Sequence, residues 1–260
     1  MLSPGRCGPD AWGDIPFMRV AVLLRRISTR PEPSLKRAIL LAAAIAVGAI
    51  ATLPVHAALA PFKAEYSVRY HGIPASARSS LQRQGNNWLY VVTIGNAAAT
   101  MSQATVFMER GDFYVPLGGS DRVQYPGGAR AVTTRYAWQD RNVRWTGDVK
   151  PRRAGPVELQ RGDMDGLLVQ LALVRDHRAG RTANYRIVEN GRARPAGFRR
   201  VGTAPITIGG ETVNATRYVQ ARTGKTTTVW VAEGVPVPVR ITQLEGSKET
   251  VRLTLTSWTQ

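Results

Sequence analysis

Cysteine and histidine are nearly absent. The 260-residue chain holds one cysteine, Cys7, and three histidines, His56, His71 and His177. A single thiol forms no internal disulfide. No histidine has a helical or hairpin partner at zinc-ligand spacing, which argues against a closed zinc site. Gly-x-Ser-x-Gly, Gly-x-Gly-x-x-Gly and the phosphate-binding loop are all missing. A Ser–His–Asp triad is assembled in space, but nothing in the sequence arranges one, and a hydrolase is not expected. Acids are scarce too: 18 Asp and Glu stand against 35 Lys and Arg. One long apolar run occurs, Ala38 to Leu53. Pro54 ends it, and it is shorter than the roughly 20 residues of a spanning helix.

That run reads as the core of a secretory signal. Ser34-Leu35-Lys36-Arg37 supplies the basic flank, and Val55 and Ala57 give a small-x-small exit. We expect residues 1–57 to be a signal helix with an over-called N-terminal extension, the true start being Met18 or later. Residues 58–260 are expected to form a single β-rich domain, one ordinary domain by length. This portion keeps 28 basic and 15 acidic residues, net +13, and no cysteine. With no cysteine after the apolar run there is no lipid-attachment residue. The expectation is a soluble periplasmic protein, not a lipoprotein.

The positive charge invites a nucleic-acid reading. The arginines, however, are scattered rather than clustered, and only Lys63, Lys150, Lys225 and Lys248 are lysines in this portion. Behind a signal, nucleic acid is not the expected partner. Envelope lipid head groups or anionic glycans suit a positive field better.

Period-two alternation dominates the rest. Phe62, Ala64, Tyr66, Val68 and Tyr70 alternate with Lys63, Glu65, Ser67 and Arg69, a half-buried strand. Further strands are expected at Ser76–Arg83, Trp88–Ile94, Ala104–Glu109, Phe113–Val115, Ala131–Trp138 and Asn142–Trp145. Asn184–Val188 and Arg192–Val201 flank Asn190-Gly191, the preferred pair for a tight hairpin. Gly209-Gly210 separates Ile206–Ile208 from Thr212–Gln220. Lys225–Ala232, Val237–Leu244 and Glu249–Trp258 close the chain. Pro116–Gly128 and Gly147–Gly162 read as loops. So many strands in one sheet curl or close. The expected fold is mainly β: a strongly curved antiparallel sheet or partly closed barrel with one α-helix.

That helix is expected over about 163–179. Leu167, Leu168, Leu171 and Val174 follow helical spacing, with Gln170, Arg175 and Arg178 at polar positions. Gly180 suits the position just past the end, and the basic last turn suits the dipole. Asp163 or Asp165 suits the N-cap. Rival readings are weaker: a calcium loop needs further oxygen ligands, and a glycosidase pair needs carboxylates across a cleft. No catalytic, metal or cofactor-binding residue is assigned. Asp163, Asp165, Gly180, Trp230 and Pro238 are given structural roles, and the tryptophans are expected to pack mainly in the core.

The order of segments is similar to that of one family. Ala60-Pro61-Phe62-Lys63-Ala64-Glu65-Tyr66 opens the series. Tyr114-Val115-Pro116, Val143-Arg144-Trp145 and Gly162-Asp163-Met164-Asp165-Gly166-Leu167-Leu168 follow. Thr228-Val229-Trp230-Val231-Ala232 and Pro238-Val239-Arg240-Ile241 come last. Across residues 60–258 the chain resembles the bacterial envelope family known as domain of unknown function 3108. The resemblance implies a signal peptide and a β-rich periplasmic domain. It carries no established reaction. The expected role is a non-enzymatic envelope binding or assembly factor, holding an amphipathic or anionic lipid or glycan on a concave sheet face. The rivals are an envelope-polymer-modifying enzyme and a structural interaction module.

Overall fold

The computed structural model describes residues 59–260. The expected signal segment 1–57 and the alternative start at Met18 lie outside the described residues.

The first strands run in chain order: β1 Phe62–Tyr70, β2 Ile73–Gln84, β3 Asn87–Gly95, β4 Thr100–Arg110, β5 Phe113–Tyr125, β6 Gly128–Ala137 and β7 Asn142–Gly147. A 3₁₀ turn at Pro151–Arg153 leads to two short strands, β8 Val157–Glu158 and β9 Asp163–Met164. Helix α1, Gly166–Arg178, follows. The chain then completes β10 Ala183–Glu189, β11 Arg192–Ile208, β12 Glu211–Arg222, β13 Lys225–Ala232, β14 Arg240–Glu245 and β15 Lys248–Thr259. The helix starts later than the expected 163 because Asp163 and Met164 pair with β10 as a strand and Asp165 is the cap.

All fifteen strands form one open sheet. Its order runs from β8 through β7 down to β1, crosses to β15, and continues down to β9. Each neighbour is antiparallel except β9 with β10, which are parallel. The parallel pair departs from the expected all-antiparallel meander. It arises because the chain turns from β9 into α1 and returns along the same direction, as a crossover helix requires.

The sheet curls until its two ends approach without pairing into a barrel. Tyr136, Val143 and Trp145 from one end pack with Leu159 and with Val188 from the other in one buried cluster. The Asn190-Gly191 hairpin turn touches the 3₁₀ turn. Gly191 has φ +70°, and a Cβ there would stand 2.5 Å from the Arg153 Cα. Glycine is needed at this position for both conformation and space.

Alternation works as the sequence pattern implies. Phe62, Ala64, Tyr66, Val68 and Tyr70 are buried, and Lys63, Glu65, Ser67 and Arg69 are exposed. Several strand bounds differ from expectation. β14 starts at Arg240 rather than Val237, and β8 lies within the expected loop Gly147–Gly162. Two strands run well past the expected breakers. Pro116–Tyr125 is not a loop but the continuation of β5. Pro116 is tolerated because the β4–β5 register shifts beside its partner Phe107, and a bulge is where a sheet accepts proline. Arg192–Ile208 is likewise one 17-residue strand, with the β11–β12 register broken between Arg200 and Thr203.

Helix α1 fills the inside of the curl, against β4, β5, β10 and β13. Leu167 through Val174 are buried without interruption, Gln170 included. The expected polar stripe is therefore mostly covered, as for any helix surrounded by protein. Among the described residues no helix is long and apolar enough to cross a membrane.

Candidate functional site

Two recesses flank the β8–β9–α1 segment. The smaller lies at the N-terminus of α1. Asp165 is the N-cap: its carboxylate accepts from the Leu168 amide at 2.8 Å and from the Thr105 hydroxyl at 2.7 Å. Asp121 on β5 and Glu189 on β10 face the same small cavity, together with Tyr136. Gln103 donates to Asp121 at 2.9 Å, and Arg194 pairs with Glu189.

Burial disfavours charge on all three acids. It pushes the Asp165 carboxyl up to about 6, with the nearby Asp121 charge adding to the rise. It pushes Glu189 up to about 7 despite the Arg194 guanidinium, and it raises Asp121 as well. The free space here is only about 40 Å³. A water needs roughly 10–15 Å³ of such space, so this recess holds a few waters, not a sugar ring. That size speaks against polymer cleavage at Asp165. Among the described residues no three His, Cys, Asp or Glu side chains are placed to share a metal ion.

Asp163 stands apart from this group. Its carboxylate closes a turn by accepting from the Gln160 amide at 2.7 Å, and it takes the Arg186 guanidinium at 2.5 Å. It is buried at 1 % exposure. Its other oxygen, Oδ1, is buried without a hydrogen-bond partner. The two aspartates of the Asp-x-Asp stretch therefore do different jobs: Asp165 caps the helix, and Asp163 ties β9 to β10.

The larger recess lies where the β4–β5 turn, the β6–β7 turn and the β8–β9 connection meet. It encloses about 870 Å³, within the range of small-molecule sites. Its wall is apolar: Phe113, Val115, Leu117, Trp138 and Leu159 line it. Arg110, Arg141 and Arg161 stand around it, all exposed. The Trp138 indole is held by donating to the Pro116 carbonyl at 2.7 Å. Arg161 lies over the Phe113 ring, 4.7 Å from its centroid. Arg141 is shared with exposed Glu158 at 2.7 Å.

The remaining singled-out residues fall elsewhere. Gly180 has φ +63° and follows the C-cap Ala179, its amide donating to the His177 carbonyl at 3.1 Å. The Pro238 carbonyl accepts from the buried Tyr66 hydroxyl at 3.0 Å. The expectation of core tryptophans divides: Trp88 and Trp145 are buried, whereas Trp138, Trp230 and Trp258 are partly exposed. His177 sits 3.1 Å from the Tyr218 hydroxyl, and burial lowers its pKa.

Sequence reasoning missed Asp121, Glu189 and the residues of the larger recess. Asp121 carried a faint signal, since Gly118-Gly119-Ser120-Asp121 is unusual inside a strand. No local pattern marks the others. The ligand-bearing concave face expected from the sequence is filled by α1, and the roomy recess opens beside the strand turns instead.

The model of the family described as "Protein of unknown function (DUF3108)" matches residues 65–256. No curated protein matches the sequence. Among solved structures, the crystal structure of MucB is similar at a TM-score of 0.33 and 9 % identity, over 76 % of this chain and 52 % of that one. The structure of PNGF-II is similar at a TM-score of 0.27 and 10 % identity, over 76 % of this chain and 27 % of that one. The chain thus spans about half the length of the MucB chain it matches.

Proposed function

The chain belongs to the DUF3108 family, and we propose that it is a non-enzymatic binding factor of the cell envelope that holds an amphipathic anionic ligand. The observation that carries this reading is the 870 Å³ recess, apolar on its walls and ringed by Arg110, Arg141 and Arg161. An acyl chain gains about 0.8 kcal/mol for each CH₂ it buries. A guanidinium fork suits a phosphate or carboxylate head group. Recess and rim together describe a single-chain lipid with an anionic head. The working place is the periplasm, reached through the basic-apolar-small segment before residue 58.

The test uses 1-palmitoyl-lysophosphatidylglycerol and its neutral counterpart, lysophosphatidylcholine, by titration calorimetry. Val115→Trp fills the recess and is expected to abolish binding of both. Arg141→Gln with Arg161→Gln is expected to weaken the anionic lipid about tenfold and to leave the neutral one unchanged. Failure of the wild type to bind, or equal binding by Val115→Trp with an unchanged melting curve, rejects the reading.

A further inference from the structure

The outer face of β12–β15 and β1 carries a second arrangement that the recess does not use. Arg217 on β12, Trp230 on β13 and Arg240 on β14 are direct cross-strand neighbours. They lie on the face opposite buried Val229 and Val231. The Arg240 guanidinium lies 5.9 Å from the centre of the Trp230 indole. Arg69 on β1 faces Arg252 on β15 on the same side of the sheet, two residues along from the Arg240 row, since Arg252 pairs with Thr242 and Arg240 with Thr254. Arg252 is paired with Glu249 at 2.8 Å, and the same carboxylate is near enough to favour the charge on Arg240 while Arg252 opposes it. Arg217 and Arg240 make no hydrogen bond or ion pair among the described residues, and each has a buried Nε with no acceptor.

This is an odd way to leave a folded surface. Like charges side by side on a sheet are destabilising, and a guanidinium without an acceptor forgoes charge-assisted hydrogen bonds. Neighbouring strands lie about 4.8 Å apart. The cations from β12 to β1 therefore extend across roughly 20 Å of the outer face at intervals of one or two strands. We propose that this face binds a polyanionic glycan. Its carboxylate or phosphate groups would pair with Arg217, Arg240 and Arg69, and a sugar ring would rest against the exposed part of Trp230. Charge complementarity selects an anionic partner, and the lack of insertable side chains favours the polymer over a lipid bilayer. The face presents threonines between the arginines and no large exposed apolar side chain. Among the described residues the one such side chain is Ile73, which belongs to β2.

Polygalacturonate is the probe, with dextran as the uncharged control and phosphatidylglycerol vesicles as the bilayer control, each titrated into the full chain at fixed salt. Arg217→Gln with Arg240→Gln is expected to weaken polygalacturonate binding about tenfold. Arg122→Gln with Arg192→Gln removes the same charge elsewhere on the surface and is expected to change it less than twofold. Trp230→Phe is expected to fall between them. Circular dichroism melts establish that each variant is folded. The proposal is overturned if the two double variants lose equally, which would make the effect one of net charge. It is also overturned if dextran binds as well, if polygalacturonate does not bind, or if only vesicles respond to Arg217 and Arg240. The lysolipid titration of the recess is unaffected by these substitutions, so the two readings fail separately.

Discussion

At the C-terminal end of α1, Asp176 is buried at 5 % exposure and fully engaged. Arg175 donates to it at 2.9 Å, Arg181 at 2.7 Å, and the Tyr185 hydroxyl at 3.0 Å. At the N-terminal end, Asp165 has one amide and one hydroxyl, no cation, and two other carboxylates facing its cavity. Both acids serve the same helix. The first sits between two guanidinium groups, of which Arg181 has a second acid, Asp112, at 3.2 Å. The second has its carboxyl pushed up to about 6 by desolvation. The two buried ends differ in their partners: guanidinium groups surround one acid, and only neutral donors reach the other.

Breaking the stronger end should cost most. Asp176→Asn leaves Arg175 without its carboxylate and Arg181 with Asp112 at 3.2 Å in place of two acids, and is expected to destabilise by about 3 kcal/mol, read as a lower urea midpoint. Arg175 adds to that cost because its guanidinium also stacks on Tyr114, 4.5 Å from the ring centroid. At the weaker end, Asp165→Ala is expected to lose about 1 kcal/mol for the cap and about as much again for the stranded Thr105 hydroxyl. Asp165→Asn keeps an acceptor oxygen and should fall well short of that loss. A larger deficit in the Asn variant than in the Ala variant would contradict the capping geometry.

A further expected effect is a pH dependence. Asp165 and Glu189 have folded-state values of about 6 and about 7, above their ordinary ones. The folded state thus holds protons that the unfolded chain has released. The stability these groups contribute is present at low pH and lost as pH rises through 4 to 7. His177, shifted down, works in the opposite sense below its ordinary value of 6.5. The urea midpoint of the double variant Asp165→Asn, Glu189→Gln should therefore fall less between pH 5.5 and pH 8 than that of the parent. Parallel slopes would mean the N-terminal acids are better solvated than their surroundings imply.

Much of the fold was legible in the chain. The alternation in Phe62–Tyr70 survives residue by residue, and Asn190-Gly191 turns with both φ values positive, +51° and +70°. Two misjudged stretches share one cause. Pro116 and Gly202 are breakers by local rules, yet each sits at a register shift where a neighbouring strand absorbs the irregularity. The site was harder to see. Asp165 was visible as a cap because its partner Leu168 is three residues away. Its other partner, Thr105, is 60 residues away, and Asp121 and Glu189 reach the same cavity from opposite ends of the sheet.

Local order was therefore largely written in the chain alone: where most strands run, where they turn, and where helix α1 stops. These depend on period-two burial, on residues tolerant of positive φ, and on backbone groups satisfied within a few positions. The tertiary structure decided which acids share a cavity, where a roomy apolar recess opens, and which arginines lie side by side. Those are contacts between strands far apart in sequence, set by sheet order, curl and register. A run of fifteen similar strands does not encode them in any short stretch.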